Sequence, residues 1–168
     1  MKMNRTKTVL ITGANKGIGF EVARQLGNKG FKVLLGSRDE ELGRKAEAVL
    51  KNEGVDTVFL LLDVTNQDTI NNAVGLIEHE YGYLDVLINN AGIFMDNGAS
   101  PSQLEPSVLK ETFETNFFGI FAMIKAMIPL LKKSTEGRIV NVSSGQGSRS
   151  PGFLPKSRGL FQFREQRN

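Results

Sequence analysis

The stretch Thr12-Gly13-Ala14-Asn15-Lys16-Gly17-Ile18-Gly19 constrains this chain more than any other. It follows Thr8-Val9-Leu10-Ile11, a β-branched and apolar run that reads as a buried strand. It precedes Phe20–Leu26, which reads as a helix. A strand, a glycine-rich turn and a helix start, in that order, form a phosphate-binding turn. Glycine lets the backbone bend tightly and approach a pyrophosphate, whose charge sits at the helix N-terminus. The spacing is T-G-x-x-x-G-x-G rather than the common G-x-G-x-x-G, and an ordinary Gly-rich turn would carry the same letters. The rest of the chain decides between the two.

Strand-like and helix-like runs alternate from there on. Ile18, Val22 and Leu26 recur at four-residue steps and give the first helix, which ends near Gly30, its apolar face. Lys32–Leu35 reads as a second strand. Glu40–Asn52 reads as a second helix, with Leu42, Ala46, Val49 and Leu50 on one face and Gly54 as its stop. Val58–Leu62 is a continuous apolar run, as expected of a parallel strand buried on both faces. A third helix spans Gln67 to Tyr81, with Ile70, Val74, Ile77 and Tyr81 as its stripe, and Leu84–Ile88 is a fourth strand. A polar loop follows from Phe94 to Ser107. A long helix then runs from Ser107 to Lys133 with Leu109, Phe113, Phe117, Ile120, Ile124, Ile128 and Leu131 on its apolar face, and a kink is expected at Pro129. Arg138–Val142 is the fifth strand. This alternation predicts an α/β fold: a Rossmann-like, doubly wound parallel sheet in the order 3-2-1-4-5, truncated after about five strands, with strand five as an uncovered edge.

The 168 residues suffice for one modest domain, assigned to 1–148. There is no cysteine, so no disulfide or thiolate site, and no metal is expected. The net charge of +3 is unevenly placed: Arg149 to Asn168 holds Arg149, Lys156, Arg158, Arg164 and Arg167 against Glu165 alone. This stretch, 149–168, is rich in Arg, Pro, Gly and Ser and is expected to be an irregular, disordered basic tail. Its cations are scattered without a helical stripe, so they read as solvated and no nucleic-acid partner is expected. Met1 to Lys7 is polar and the apolar run after it is short, which argues against a signal peptide or membrane span and for a cytoplasmic protein. His79, the single histidine, falls off its helix stripe and reads as solvated.

Candidate site residues collect at the strand ends. Ser37 and Arg38 sit just past the second strand. A cofactor without a 2′-phosphate usually meets an acid there, whereas a 2′-phosphate prefers cations. Arg38 and Lys16 supply two, unless both are plain surface charges, and Asp39 next door works against the phosphate reading. The third strand ends in Asp63-Val64, and Asp63 would equally suit a cap for Thr65–Asp68. The fourth strand runs into Asn89-Asn90-Ala91-Gly92, two amides and a small pair suited to a close approach by a ligand. Asn116 lies on or beside the apolar face of the long helix, where a buried amide needs partners, which a neighbouring backbone group would provide. Ser143-Ser144-Gly145 follows the fifth strand, at the end of the sheet where open α/β folds bind ligands, although a bare Ser-Ser-Gly is also an ordinary turn.

Together these motifs resemble the short-chain dehydrogenase/reductase family over Lys7 to about Gly147, and Thr115-Asn116-Phe117-Phe118-Gly119 looks like its carbonyl-reductase branch. The resemblance implies cofactor-binding roles for Gly13, Asn15, Lys16, Gly17, Ile18, Gly19, Arg38, Asp63, Val64, Asn90, Ala91 and Gly92. Asp63 and Val64 would hold the adenine, and Lys16 with Arg38 resembles the NADP-preferring pattern. It implies catalytic roles for Asn116, in a water-linked proton path, and for Ser144, positioning a carbonyl oxygen. The implied reaction is hydride transfer between NADPH and a small carbonyl compound or alcohol, with the proton given by a Tyr-x-x-x-Lys motif. The chain departs from the pattern there: its tyrosines are Tyr81 and Tyr83, both before the fourth strand, and Ser157 and Phe161 stand near the places of the motif's tyrosine and lysine. A truncated, weakly active or inactive reductase is therefore expected. The alternative is a non-catalytic nucleotide-binding or interaction module, and the uncovered fifth strand would favour a homo-oligomer.

Overall fold

The computed structural model describes residues 5–95, 101–143 and 164–165. Its centre is β1 (Thr8–Ile11), whose residues are all buried. Side chains alternate across a strand, so Leu10 packs into one apolar cluster while Val9 and Ile11 pack into another on the opposite face. Burial on both faces is what requires an unbroken apolar run here. β2 (Lys32–Ser37) and β4 (Val86–Asn89) flank β1 in parallel, and β3 (Thr57–Leu61) lies outside β2. β5 (Arg138–Asn141) extends the sheet beyond β4. The parallel order is 3-2-1-4-5, as expected.

The helices form the two outer layers. α1 (Gly17–Asn28) and α2 (Glu40–Asn52) cover the face of Val9 and Ile11. α3 (Gln67–Tyr81) and α5 (Gly119–Lys132) cover that of Leu10. The bounds of α2 and α3 match the expected ones because both have capping residues: Asp39 accepts from the Leu42 N–H, and Asn66 accepts from the N–H groups of Asp68 and Thr69. Their inward faces agree less well. α2 turns Gly43, Ala46 and Leu50 to the sheet, and Leu42 and Val49, expected inside, are exposed. Likewise Gly19 and Ala23 of α1 are buried, Val22 and Leu26 only partly, and Ile18 is exposed. Small residues let a helix backbone lie close to the sheet, and the larger ones are displaced to its flanks.

The long helix is continuous from Pro106 to Lys132, and it runs through Pro129. It is not uniform. α4 (Pro106–Phe113) and α5 are joined by a π-helical turn at Glu114–Phe118. A π turn inserts one residue and advances the phase of everything before it. The expected stripe therefore breaks: Leu109, Phe113 and Phe117 are exposed, and Ile120, Ile124 and Ile128 are half-buried. Leu131, the last of the expected stripe, is buried as expected, and Thr115, Gly119, Met123, Met127 and Leu130 face inward in place of the others.

A second correction concerns the sheet edge. β5 was expected to be bare, yet β6 (Arg164–Glu165) pairs antiparallel with Val140 and Asn141. Over these two residues the expected irregular tail is a strand; the rest of 149–168 lies outside the described residues.

The N-terminal ends of the strands are tied by Asp85, which is only 2% exposed. Its carboxylate accepts from the Thr8 N–H at 2.8 Å and the Ser134 hydroxyl at 2.5 Å, and pairs with Arg5 at 2.5 Å. The Arg5 guanidinium in turn lies 3.4 Å over the Tyr83 ring. Replacing Asp85 by Ala strands the buried Thr8 N–H and releases Arg5. It is expected to lower stability by about 1–3 kcal/mol, read as a drop in the urea midpoint at unchanged m-value.

Candidate functional site

At the opposite, C-terminal ends of the strands the chain turns sharply after β1. Thr12 is 1% exposed and acts as a bolt. Its N–H donates to the Ile88 carbonyl at 3.0 Å. Its hydroxyl oxygen accepts from the N–H groups of Asn90 at 3.0 Å and Ala91 at 2.9 Å. The Asn90 side-chain amide reciprocates, donating to the carbonyls of Thr12 at 2.9 Å and Gly13 at 3.1 Å. On the other side the Ala14 N–H donates to the Gly36 carbonyl at 2.9 Å. The glycine turn is thus fastened to the exits of both β4 and β2.

Two glycines make this fit possible. Gly13 has φ +62°, and a Cβ there would lie 2.9 Å from the Ala91 Cα. At Gly19 a Cβ would run into the Asn90 amide and sit 2.7 Å from the Gly13 carbonyl oxygen. Gly17 begins α1, whose N-terminus has no side-chain cap and no acid in its first turn. Its first-turn N–H groups and positive pole are left to whatever lies in front of them.

In front of them is a cleft of about 450 Å³. It is lined by Gly13, Asn15, Lys16, Gly17, Ile18, Arg38, Asp63, Val64, Asn90, Ala91 and Gly92, so the structure gathers eleven of the twelve expected binding residues on one surface. The twelfth, Gly19, packs beneath them. Lys16 and Arg38 both line the cleft, and their side chains have no hydrogen bond or ion pair among the described residues. Asp39 also borders the cleft but forms an ion pair with neither: its Oδ1 caps α2 by accepting from the Leu42 N–H at 2.9 Å. Asp63 is engaged as a turn cap, accepting from the Thr65 N–H at 2.9 Å and hydroxyl at 2.7 Å, while still lining the cleft. The cap reading of that residue holds, and its place on the cleft leaves the adenine reading open to it.

Asn116 sits in the π turn. It is exposed, not buried as expected, yet its amide is fully used. Oδ1 accepts from the Ile93 N–H and Nδ2 donates to the Ile93 carbonyl, each at 2.8 Å. It therefore locks the segment after Gly92, which borders the cleft. Ser144 lies outside the described residues, which end on β5's side at exposed Ser143. Several lining residues were not foreseen. Thr115 is buried and follows from the altered phase of the π turn, whereas Leu42 had been assigned to the core. Ile93 acts through its backbone N–H and carbonyl, which leave no trace in residue spacing.

A parallel sheet in this order, wound on both faces and carrying a glycine turn at its C-terminal edge, defines a Rossmann-like α/β protein. The model of the short chain dehydrogenase family matches residues 7–155, and the chain belongs to that family. It is 45% identical over 137 residues to carbonyl reductase (NADPH) 1 of Mus musculus, covering 80% of this chain and 48% of that protein. It is 39% identical over 158 residues to (+)-neomenthol dehydrogenase of Arabidopsis thaliana, covering 82% and 53%. Among solved structures, an actinorhodin polyketide ketoreductase variant with NADPH superposes with a TM-score of 0.75 at 35% identity, covering 81% of this chain and 52% of that one. The chain spans about half the length of the curated relatives it matches.

Thr12→Val keeps the shape and removes the hydroxyl acceptor of two N–H groups. It is expected to cost about 1–3 kcal/mol, seen in urea unfolding, and to raise hydrogen exchange at Asn90 and Ala91.

Proposed function

We propose that the cleft binds NADP(H) and that the chain is the cofactor-binding part of an oxidoreductase acting on small carbonyl compounds or alcohols. The observation that carries this reading is the pair Lys16 and Arg38, both lining the cleft without partners while the neighbouring Asp39 is occupied as a cap. An anion with more charge than a pyrophosphate alone is what such a pair favours, and a 2′-phosphate supplies it. The residues present fit the cofactor on further grounds. The uncapped N-terminus of α1 and the bare backbone of Gly13 and Gly17 suit the pyrophosphate. The apolar side chains of Leu42, Leu62 and Val64, with Asp63 beside them, suit the adenine. When bound, the cofactor supplies hydride chemistry.

The chain's own residues then have distinct tasks. Lys16 and Arg38 hold the 2′-phosphate and set cofactor preference. Asn90 holds the glycine turn open against β4, so the resemblance's binding role for it is indirect. Asn116 fixes the Ile93 backbone beside the cleft, and Ser144 is assigned the carbonyl oxygen of the substrate. Among the described residues no tyrosine lines the cleft. Tyr83 lies under Arg5 at the far end of the sheet, and Tyr81 ends α3. A serine hydroxyl is a poor substitute because its pKa is far from neutrality. This favours a second reading for the 168 residues alone, as a nucleotide-binding module that does not turn over substrate.

Two outcomes test these readings. NADPH should bind more tightly than NADH, and Arg38→Asp should reverse the preference by about tenfold or more, since each charge-assisted bond is worth about 1.5–3 kcal/mol. Cofactor fluorescence titration measures both, and equal affinities in the unaltered chain would contradict the assignment. The purified 168-residue chain should oxidise NADPH with aldehydes, ketones or quinones far below an ordinary turnover of about 10 per second. Turnover near that value, abolished by Ser144→Ala, would show that another residue gives the proton.

A further inference from the structure

β4 and β5 run side by side in register from Val86 and Arg138 to Asn89 and Asn141. Beyond that last rung they part. β4 delivers Asn90, Ala91 and Gly92 to the cleft, and β5 leads through Val142 to exposed Ser143. Strand ends are where a ladder opens most easily, because the final rung has a neighbour on one side only. Here the final rung carries an added bond: the Asn89 amide Nδ2 donates to the Asn141 Oδ1 at 2.8 Å. The backbone adds the Val142 N–H donating to the Asn89 carbonyl at 2.9 Å.

The two asparagines differ in setting. Asn89 is 2% exposed, whereas Asn141 is exposed. The Asn89 Oδ1 is buried with no hydrogen-bond partner among the described residues. Its amide is thus held by Nδ2 alone, and a buried polar group held so sparingly needs a reason. The next residue in the chain, Asn90, is the one whose N–H and side chain bolt the glycine turn through Thr12. The Asn89–Asn141 bond is therefore one peptide unit away from the fastening of the cleft and two residues from Ser143.

We propose that Asn141 is a positioning residue: by accepting from Asn89 it sets the separation between the strand exit that builds the cleft and the strand exit that carries Ser143. The proposal deepens the reading of the cleft as an NADP(H) site and rests on it for its functional consequence. It is polar in a checkable sense, because Asn141 accepts and Asn89 donates. Aspartate at 141 keeps the acceptor. Leucine at 141 removes the acceptor and leaves the buried Asn89 amide without a partner on either atom.

The test compares the unaltered chain with Asn141→Leu and Asn141→Asp by amide hydrogen exchange and by NADPH titration. Loss of a hydrogen bond of ordinary strength corresponds to about a fivefold change in an equilibrium. Asn141→Leu is expected to speed exchange at Asn90 and Ala91 by about that factor and to weaken NADPH by a similar one, with α3 unchanged. Asn141 is exposed, so leucine there opens no cavity. Asn141→Asp, which keeps the acceptor, should restore both readouts. Exchange at Asn90 and Ala91 unmoved by Asn141→Leu, or raised uniformly through α3, would overturn the proposal, as would Asn141→Asp proving as damaging as leucine. Failure of the unaltered chain to bind NADPH would overturn the cofactor reading instead, since the exchange comparison needs no cofactor.

Discussion

Everything at the C-terminal edge of the sheet depends on the fastening between Thr12 and Asn90. A glycine turn by itself is floppy, since glycine loses more conformational freedom on ordering than any other residue. Four hydrogen bonds between Thr12, Gly13, Asn90 and Ala91 hold the turn against the exit of β4. The order of the sheet makes those bonds possible, because β1 and β4 are neighbours that pair Leu10 with Leu87 across a long stretch of chain. The close approach of Gly13 to Ala91 follows, and so does the mouth of the cleft.

The electrostatics of the cleft follow from what is used elsewhere. Asp39 and Asp63 are the acids bordering it, and both accept hydrogen bonds from local backbone N–H groups. Lys16 and Arg38 have no such engagement among the described residues. The positive pole of α1 adds to theirs. Local capping thus orients the two carboxylates away from ion pairing and leaves both cations without a side-chain partner, an outcome that the adjacent letters Arg38-Asp39 do not reveal by themselves.

The parallel order, the element sequence and nearly all of the cleft lining were legible from alternation, glycine spacing and strand-end motifs. The limits of α2 and α3 were legible because caps are local. The inward face of the long helix was not, because the π turn at Glu114–Phe118 shifts its phase without any change in apolar spacing. The same turn explains why Asn116 proved exposed: it leaves the helix surface to serve the Ile93 backbone. The pairing of β6 with β5 was equally hidden, since two residues, Arg164 and Glu165, carry no periodicity.

The central claim is that the glycine turn, Arg38 and the β4 exit act together as one cofactor site. Amide chemical-shift mapping during NADPH titration tests it most directly. The account predicts saturable shifts at Gly13, Lys16 to Gly19, Arg38 and Ala91 to Gly92, with the Asp85 end of the sheet unmoved. Shifts confined to other surfaces, or none at saturating NADPH in the folded chain, would contradict it.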